Sequence, residues 1–241
     1  MNIRDKTILI TGANRGIGEA LVNEALRRGA RRVYAGTRGA LRHPDPRVTP
    51  VTLDVTSDSH IRRAAGQIEA LDLLVNNAGI ALYDDLSSLD AIEQQLAVNL
   101  FGSLNVSRAL LPLLRRSGGA VVNCLSLAAL APLPIIPAYS ISKAAAFSMT
   151  QSLRAFLAGG GVKVHAVFLG PVDTDMTRGF DIPKASAGSA AAGILDGVEN
   201  GEDDIFPDPA SRAMAEGFRN GVAKALEREF AAFTPPGRTA A

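Results

Sequence analysis

The chain alternates between short apolar runs and longer segments in which apolar residues recur at helical spacing. The short runs are continuously apolar, which is typical of strands buried on both faces of a sheet. Such strands are predicted over 7–12, 32–37, 48–54, 71–79, 119–126 and 162–170, with 202–208 as a candidate for a short seventh. Helices are predicted over 18–29, 58–71, 88–116 and 138–158. The alternation predicts an α/β fold with a doubly wound, mostly parallel sheet of about seven strands flanked by helices.

The pattern contains no linker and no internal repeat, so residues 1–232 are predicted to form a single domain. Its last part, 211–232, is predicted to be an added amphipathic helix, because apolar residues recur there at every fourth position. We expect this apolar stripe to pack on the domain or on a second subunit. The residues that form it are Met214, Phe218, Val222, Leu226 and Phe230. The tail, 233–241, is predicted to be disordered.

The composition and charge of the chain argue against several classes of protein. Of the 241 residues 47% are apolar, and a net charge of +1 gives no reason to expect nucleic acid or a membrane surface as a partner. The single cysteine, Cys124, cannot form an internal disulfide, which fits a reducing compartment. We find no signal peptide, no apolar run of about 18 residues and no metal-ligand spacing among the histidines. A soluble cytoplasmic protein without a bound metal is expected.

A glycine-rich turn, "TGANRGIG" at 11–18, follows the first predicted strand and opens the first helix. Glycine lets backbone N–H groups approach a pyrophosphate at the positive end of a helix. The spacing differs from the commoner G-x-G-x-x-G, and no Lys-Ser/Thr pair follows as in nucleotide hydrolases. A tight structural corner is the alternative, but the position after strand one favours a dinucleotide site. The candidate contacts are Gly12, Asn14, Arg15, Gly16, Ile17 and Gly18.

The end of the second strand indicates which dinucleotide binds. NAD enzymes usually place an acid there to bind the ribose 2′-hydroxyl, whereas this chain has Thr37 followed by Arg38. Arg38, with Arg15 from the glycine turn, can pair with a 2′-phosphate through charge-assisted hydrogen bonds. Both arginines are ordinary surface residues in the alternative interpretation. The missing acid favours NADP(H).

A tyrosine and a lysine lie one helical turn apart in "AYSISKAAAF" at 138–147. Tyr139 and Lys143 therefore share a helix face. We expect the lysine cation to favour the phenolate and to lower the pKa of the tyrosine from about 10. Such a shift is useful where the tyrosine exchanges a proton near neutral pH. A single pair at this spacing can also arise by chance. The neighbouring residues must therefore show whether the pair is functional.

These features belong to a set of motifs that resembles the short-chain dehydrogenase/reductase family over nearly the whole chain. The motifs are "TGANRGIG", "LDVT" at 53–56, "NNAG" at 76–79, "VNLFG" at 98–102, "VVNCLS" ending at Ser126, "YSISK" at 139–143 and "GPVDTDM" at 170–176. The resemblance implies a Rossmann-like fold and a catalytic tetrad of Asn99, Ser126, Tyr139 and Lys143. It also implies coenzyme contacts from Asp54, Val55, Asn76, Ala78, Gly79, Tyr139, Lys143, Pro171, Val172 and Thr174.

The implied activity is the NADPH-dependent reduction of a ketone or aldehyde, with Tyr139 as the general acid/base. Ser126 shares the substrate oxygen, and Lys143 stabilises the phenolate and bonds the nicotinamide ribose. Apolar residues in the segments that follow the later strands predict a mainly apolar substrate. The predicted wall residues are Leu127, Leu133, Met176, Phe180 and Phe206. Loop 175–190 is either a mobile lid or an ordinary surface connection.

Two other functions stay open at this point. A 3-oxoacyl thioester reductase needs a basic patch for an acidic carrier protein, to which Arg108, Arg115 and Arg116 can contribute. A coenzyme-sensing regulatory protein is expected to lack part of the tetrad, and this chain keeps all of it. The resemblance also implies a homo-oligomer, a dimer or tetramer, paired through the helices around 88–116 and 138–158.

Overall fold

Nine strands form two parallel sheets in the computed structural model, which describes residues 1–233. The strands are β1 (Thr7–Thr11), β2 (Arg32–Thr37), β3 (Val48–Thr52), β4 (Leu73–Asn76), β5 (Ala120–Cys124), β6 (Lys163–Val167), β7 (Val172–Asp173), β8 (Ala185–Ser186) and β9 (Asp204–Ile205). The main sheet has seven strands in the order β3-β2-β1-β4-β5-β6-β9, and β7 pairs with β8 in a separate small sheet. The strand order reverses direction between β1 and β4, which is the doubly wound arrangement.

Eight α-helices cover the main sheet within the described part of the chain. They are α1 (Gly16–Arg27), α2 (Asp58–Gln67), α3 (Leu89–Leu96), α4 (Ser103–Ser117), α5 (Pro137–Leu157), α6 (Ala187–Asn200), α7 (Pro209–Arg219) and α8 (Val222–Phe230). The strands are apolar at successive positions because both faces are covered. Ile8 and Ile10 of β1 pack with α1 and α6, whereas Leu9 packs with α2 and α4 on the other face. The predicted fold class is confirmed.

The predicted helix over 88–116 is divided by a π-helical segment, Ala97–Gly102, that joins α3 to α4. The combined run, Leu89–Ser117, is the one helical stretch within residues 1–233 that is long and apolar enough to cross a membrane, with a mean hydropathy of 1.2. In this fold Val106, Leu110 and Leu114 pack it onto the sheet. A core helix has the same length and composition, so the run carries little weight as a membrane span.

The predicted single helix over 211–232 is wrong, because Asn220 and Gly221 separate α7 from α8. Gly221 is extended, with φ −80° and ψ 160°, and begins α8 as its N-cap. Of the predicted apolar stripe, Phe218 packs into the core, whereas Met214, Val222, Leu226 and Phe230 are exposed. Phe233, predicted as the first residue of the tail, ends a short 3-10 turn. The rest of the predicted tail, 234–241, lies outside the described residues.

Ion pairs, rather than apolar contacts, hold α8 on the domain. Lys224 contacts Asp204 and lies 3.0 Å from Glu227, and Arg154 of α5 contacts both carboxylates. The side chains of Lys224 and Asp204 are only 7% and 4% exposed. The inner face of α8 is therefore charged, and the exposed residues of the helix include the apolar Val222, Leu226 and Phe230 beside Arg228 and Glu229.

Candidate active site

The glycine turn after β1 bends the chain sharply at the carboxyl edge of the sheet. Gly12 and Gly16 have φ values of +65° and +55°, a region that favours glycine. A Cβ at Gly18 would lie 2.1 Å from the carbonyl oxygen of Gly12, so a side chain does not fit there. No side chain caps the N-terminus of α1. Its first N–H groups therefore keep their hydrogen-bonding capacity for an anion such as a phosphate.

Thr174 lies directly against this turn, because a Cβ at Gly16 would meet its Cγ2 at 3.2 Å. The Thr177 hydroxyl donates to the carbonyl of Val172 at 2.5 Å and accepts from the Thr174 N–H at 3.3 Å. These bonds fix the segment that follows β7. Pro171 directly precedes β7. The structure thus brings the predicted contacts from the glycine turn and from the "GPVDTDM" motif together.

The basic residues predicted to select NADP(H) both lie at the carboxyl edge of the sheet, Arg38 after β2 and Arg15 in the turn after β1. Thr37 is buried at the end of β2, and Arg38, the next residue, is exposed. Hydrogen bonds from Thr56 lower the pKa of Asp54, and the positive charge of Arg38 lowers it further. Arg15 forms an exposed ion pair with Asp175 at 3.4 Å. Arg15 can therefore exchange Asp175 for a phosphate, because surface ion pairs are weak.

Asn76 and Val55, both predicted to contact the coenzyme, direct their side chains into the core. Asn76 Nδ2 donates to Ser107 Oγ at 2.9 Å and to Asn123 Oδ1 at 2.8 Å. Val55 packs so closely on Gly102 that a Cβ there would meet its Cγ2 at 2.7 Å. Both side chains pack in the interior beneath the carboxyl edge of the sheet. Only the backbone atoms of these two residues can therefore contact a coenzyme at that edge.

Asn77 is a supporting residue that the sequence reasoning did not single out, although it lies within the quoted "NNAG" motif. Its Nδ2 donates to the carbonyl of Thr11 at 2.9 Å. The Thr11 hydroxyl in turn accepts from the N–H groups of Asn77 and Ala78, each at 3.0 Å. These bonds join the ends of β1 and β4 and hold Ala78 and Gly79 beside the glycine turn.

Ser126, Tyr139 and Lys143 meet at the ends of β5 and α5. The side chain of Ser126 lies near enough to the Tyr139 phenol to lower the pKa of that phenol. Ser126 Oγ also accepts from the N–H of Ala128 at 3.1 Å, which fixes the serine side chain. Lys143 Nζ lies 5.7 Å from the centre of the Tyr139 ring and donates to the carbonyl of Cys124 at 2.7 Å. Tyr139 and Lys143 are 9% and 6% exposed, so water reaches neither freely.

The pKa of Tyr139 shifts in the direction opposite to the one expected from the sequence. Burial raises the pKa of the phenol to about 12, and the nearby Ser126 side chain offsets only part of that rise. Burial also lowers the pKa of Lys143 to about 8. The expectation was wrong for this structure because removal from water disfavours both charged forms, whatever their mutual attraction.

Asn99 lies in the π-helical segment and ties the tetrad to the loop after β4. Its Nδ2 donates to the carbonyl of Ile80 at 2.9 Å and to Ser142 Oγ at 2.8 Å, and its Oδ1 accepts from the Ile80 N–H at 3.0 Å. A Cβ at Gly79 would lie 3.1 Å from Asn99 Oδ1 and 3.6 Å from Lys143 Nζ. Asn99 therefore lies beside Lys143, and π-helical turns often occur at functional sites.

The predicted substrate-wall residues do not all reach the same place. Leu133 and Met176 are 44% and 47% exposed, and Leu127 packs partly on the core. Phe180 stacks on Tyr83, an aromatic residue that the sequence reasoning missed. Phe206 is buried in an aromatic cluster with Phe168, Phe218 and Phe147. We therefore leave Phe206 out of the substrate wall.

Comparison with known proteins places the chain among dehydrogenases. A sequence model of the short chain dehydrogenase family matches residues 6–184. An uncharacterized oxidoreductase of Staphylococcus epidermidis is 32% identical over 191 residues, which cover 74% of this chain and 83% of that protein. 11-beta-hydroxysteroid dehydrogenase 1A of Arabidopsis thaliana is 31% identical over 239 residues, with 92% and 67% covered.

Two solved structures have the same fold over most of the chain. A short chain dehydrogenase from Burkholderia cenocepacia in complex with NADP is 38% identical, with a TM-score of 0.87, and the match covers 98% of this chain and 100% of that one. The NADPH-bound carbonyl reductase from chicken fatty liver is 27% identical, with a TM-score of 0.76, and the match covers 82% and 88%.

Proposed function

Because the chain belongs to the short chain dehydrogenase family and is an oxidoreductase of that family, we propose that it reduces the carbonyl group of an apolar small molecule with NADPH. The observation that carries this proposal is the position of the half-buried Ser126 beside the buried Tyr139 phenol, with Lys143 Nζ 5.7 Å from the centre of the tyrosine ring. Two hydroxyl donors and a cation at one point suit a carbonyl oxygen that gains negative charge.

The residues around the glycine turn fit a dinucleotide. The space that glycine leaves at positions 12, 16 and 18, with the uncapped N-terminus of α1, suits a pyrophosphate. Arg38 and Arg15 would hold a 2′-phosphate. Position 37 carries a threonine and not an acid, so no negative charge there would repel the phosphate. The Burkholderia cenocepacia dehydrogenase in complex with NADP and the NADPH-bound chicken carbonyl reductase support the choice of NADP(H). When bound, the coenzyme supplies a hydride to the carbonyl carbon in reduction.

The protein residues handle the substrate oxygen and its proton. The hydroxyls of Ser126 and Tyr139 donate hydrogen bonds to the carbonyl oxygen and stabilise the negative charge that grows on it. Tyr139 then gives its proton to that oxygen, which yields the alcohol and a phenolate. The cation of Lys143 stabilises the phenolate until a proton returns from solvent. With a pKa of about 12, Tyr139 holds its proton at neutral pH, as a donor in reduction must.

Asn99 and the loop after β4 position these groups. By bonding Ile80 and Ser142, Asn99 joins that loop to α5, the helix that carries both Tyr139 and Lys143. The substrate wall in this proposal consists of Leu127, Leu133, Met176 and Phe180, which are apolar and uncharged. An apolar ketone or aldehyde fits such a wall better than an acid does.

Reduction of a 3-oxoacyl thioester is the second candidate function. Arg108 of α4 and Arg62 of α2 line one open groove together with Asn105 and Asp58, and Arg116 is exposed further along α4. An acidic carrier protein would meet two cations and one carboxylate in that groove. The tetrad chemistry is the same for both candidates, so only the substrate distinguishes them.

Turnover assays test the proposed function. Purified protein is mixed with NADPH or NADH, and the absorbance of the reduced nicotinamide is followed with apolar ketones, apolar aldehydes and carrier-bound 3-oxoacyl thioesters. We expect turnover of apolar ketones or aldehydes with NADPH. Loss of a charge-assisted bond in Arg38→Ala should weaken NADPH binding about tenfold and leave NADH binding unchanged. Preference of the wild type for NADH, or for the thioesters, would contradict the proposal.

A homo-oligomer and a cytoplasmic location stay predictions. The outer face of α8, with Val222, Leu226 and Phe230 between 41% and 78% exposed, supports association with another subunit. Light scattering on the purified protein at several concentrations measures the subunit number directly.

A further inference from the structure

Two aromatic side chains from distant parts of the chain stack on each other at the surface. The ring centres of Tyr83 and Phe180 are 6.1 Å apart and their planes are inclined by 24°. Tyr83 is nevertheless 72% exposed, so this contact does not serve to bury the tyrosine. An aromatic face that stays open to solvent beside a catalytic cleft is available to a ligand.

The segment that carries Tyr83 is held firmly beside the catalytic helix. The carboxylate of Asp84 accepts from the N–H of Ala138, at 3.2 and 3.3 Å, and Ala138 directly precedes Tyr139. The N–H of Leu82 donates to Gln95 Oε1 at 3.2 Å, and Ile80 is bonded on both sides to Asn99. Tyr83 therefore stands at the Tyr139 side of the cleft on a rigid support.

The segment that carries Phe180 belongs to the opposite side. The N–H of Phe180 donates to the carbonyl of Thr177 at 3.2 Å, and Thr177 is bonded to Thr174, which lies against Gly16. Gly179 has a φ of +92°, a conformation that lets the chain turn just before the ring. The stacked pair thus joins the segment that caps the catalytic helix to the segment that lies against the glycine turn.

Other large apolar side chains are exposed on the segments that precede α5 and follow β7. They are Leu133, Ile135, Met176 and Ile182. We propose that Tyr83 and Phe180 form an aromatic gate over the substrate entrance, which selects carbonyl compounds whose carbonyl group is attached to a planar ring. This inference rests on the proposed function, since it names the substrate class of the same site. A planar ring stacks on an aromatic face, whereas a puckered saturated ring of equal carbon number makes poorer contact.

Binding of unreactive amides tests the gate without turnover. Benzamide and cyclohexanecarboxamide offer the same carbonyl oxygen on a planar and on a saturated ring, and hydride does not reduce either one under these conditions. Their dissociation constants are measured by NMR titration, with and without NADP⁺, for the wild type, Tyr83→Leu and Phe180→Leu. Tyr83→Phe, which keeps the ring, and Phe230→Leu, which removes an exposed ring on α8, are the controls.

We expect the wild type and both controls to prefer benzamide about threefold to tenfold, the range of an aromatic pair, and both leucine variants to lose most of that preference. Equal affinity of the wild type for the two amides, or an unchanged preference in both leucine variants, would overturn the gate. Reduction of benzaldehyde, followed in parallel, reports on the proposed function separately. A protein that prefers benzamide but reduces no aldehyde keeps the gate and loses the carbonyl reductase assignment.

Discussion

Lys143 holds its amino group in a place that water barely reaches. The side chain is 6% exposed, and its Nζ donates to the carbonyl of Cys124 at 2.7 Å. Burial lowers the pKa of this amine from 10.5 to about 8. The cation needed to stabilise a phenolate at Tyr139 therefore exists chiefly below pH 8, and it is held at the expense of folding stability.

The pKa of Lys143 predicts how stability depends on pH. Between about pH 8 and 10 the unfolded lysine binds a proton that the folded lysine does not, so the free energy of unfolding should rise, by about 2 kcal/mol from this residue. Urea unfolding at a series of pH values measures the rise. Lys143→Met should lack it, and Lys163→Met, which changes an exposed lysine, should keep it. Identical profiles for wild type and Lys143→Met would contradict the low pKa.

The identities of the site residues could be predicted from sequence, but their protonation could not. Tyr139 and Lys143 share a helix face whatever surrounds the helix, so their proximity follows from spacing alone. Their pKa values depend on burial by residues far away in the chain, and burial reversed the expected shift of Tyr139. The same reason applies to Phe206, which was predicted to line the substrate wall and instead packs on Phe168.

At the scale of elements, α5 depends on a carboxylate from another segment. Its N-cap, Ile136, has no side-chain acceptor, and Pro137 follows it. Asp84 fills that role by accepting from the N–H of Ala138. The loop after β4 therefore fixes the start of the helix that carries Tyr139 and Lys143.

Asp84→Ala should destabilise the fold by about 1 kcal/mol, because it leaves a helix N–H without its cap. It should also lower kcat more than it changes the dissociation constant of NADPH, since Tyr139 lies in the first turn. Thermal unfolding and steady-state kinetics measure the two effects. Asp84→Asn keeps an acceptor and should restore most of both, and Asp85→Ala, whose carboxylate accepts only from Ser87, is the matched control. Equal effects of Asp84→Ala and Asp85→Ala would argue against the cap.

Strands and most helices could be predicted from the hydrophobic pattern, because strands buried on both faces are continuously apolar. Four features escaped it. The small sheet of β7 and β8 is the first, since 175–190 was expected to be a loop and contains β8 and the start of α6. α6 is rich in alanine and glycine and has a weak apolar period, although Gly193 and Gly197 let it pack closely on Pro207 and Ile205. The π-helical segment and the break at Asn220 and Gly221 depend on tertiary contacts and backbone angles that a pattern of apolar residues does not encode.

At the scale of the whole molecule, a cluster of four charges attaches the C-terminal helix α8 to the domain. Arg154 and Lys224 contribute two cations, and Asp204 and Glu227 two carboxylates. The sequence periodicity identified which residues of α8 share a face, but not which face turns inward. The apolar stripe from Val222 to Phe230 therefore faces outward, where a second subunit can cover it.

Removal of one charged side chain from this cluster should lower the free energy of unfolding by more than an ion pair contributes, because the opposite charge stays buried. Lys224→Met leaves Asp204, 5% exposed, with one cationic partner fewer, so the free energy of unfolding should fall by roughly 3 kcal/mol. Urea unfolding gives this value, and Arg228→Met, at an exposed position of the same helix, should change it little. A loss as small as that of Arg228→Met would show that α8 is held by other contacts.

The most direct test of the account compares wild type with Tyr139→Phe, which removes one oxygen and keeps the ring. NADPH oxidation is followed with a carbonyl substrate that the wild type accepts, and the dissociation constant of NADPH is measured for both proteins. We predict that kcat falls at least about a hundredfold while the dissociation constant of NADPH changes far less, because the substitution removes the proton donor but only one of many coenzyme contacts. Turnover that survives in Tyr139→Phe would contradict the assignment of Tyr139 as the proton donor.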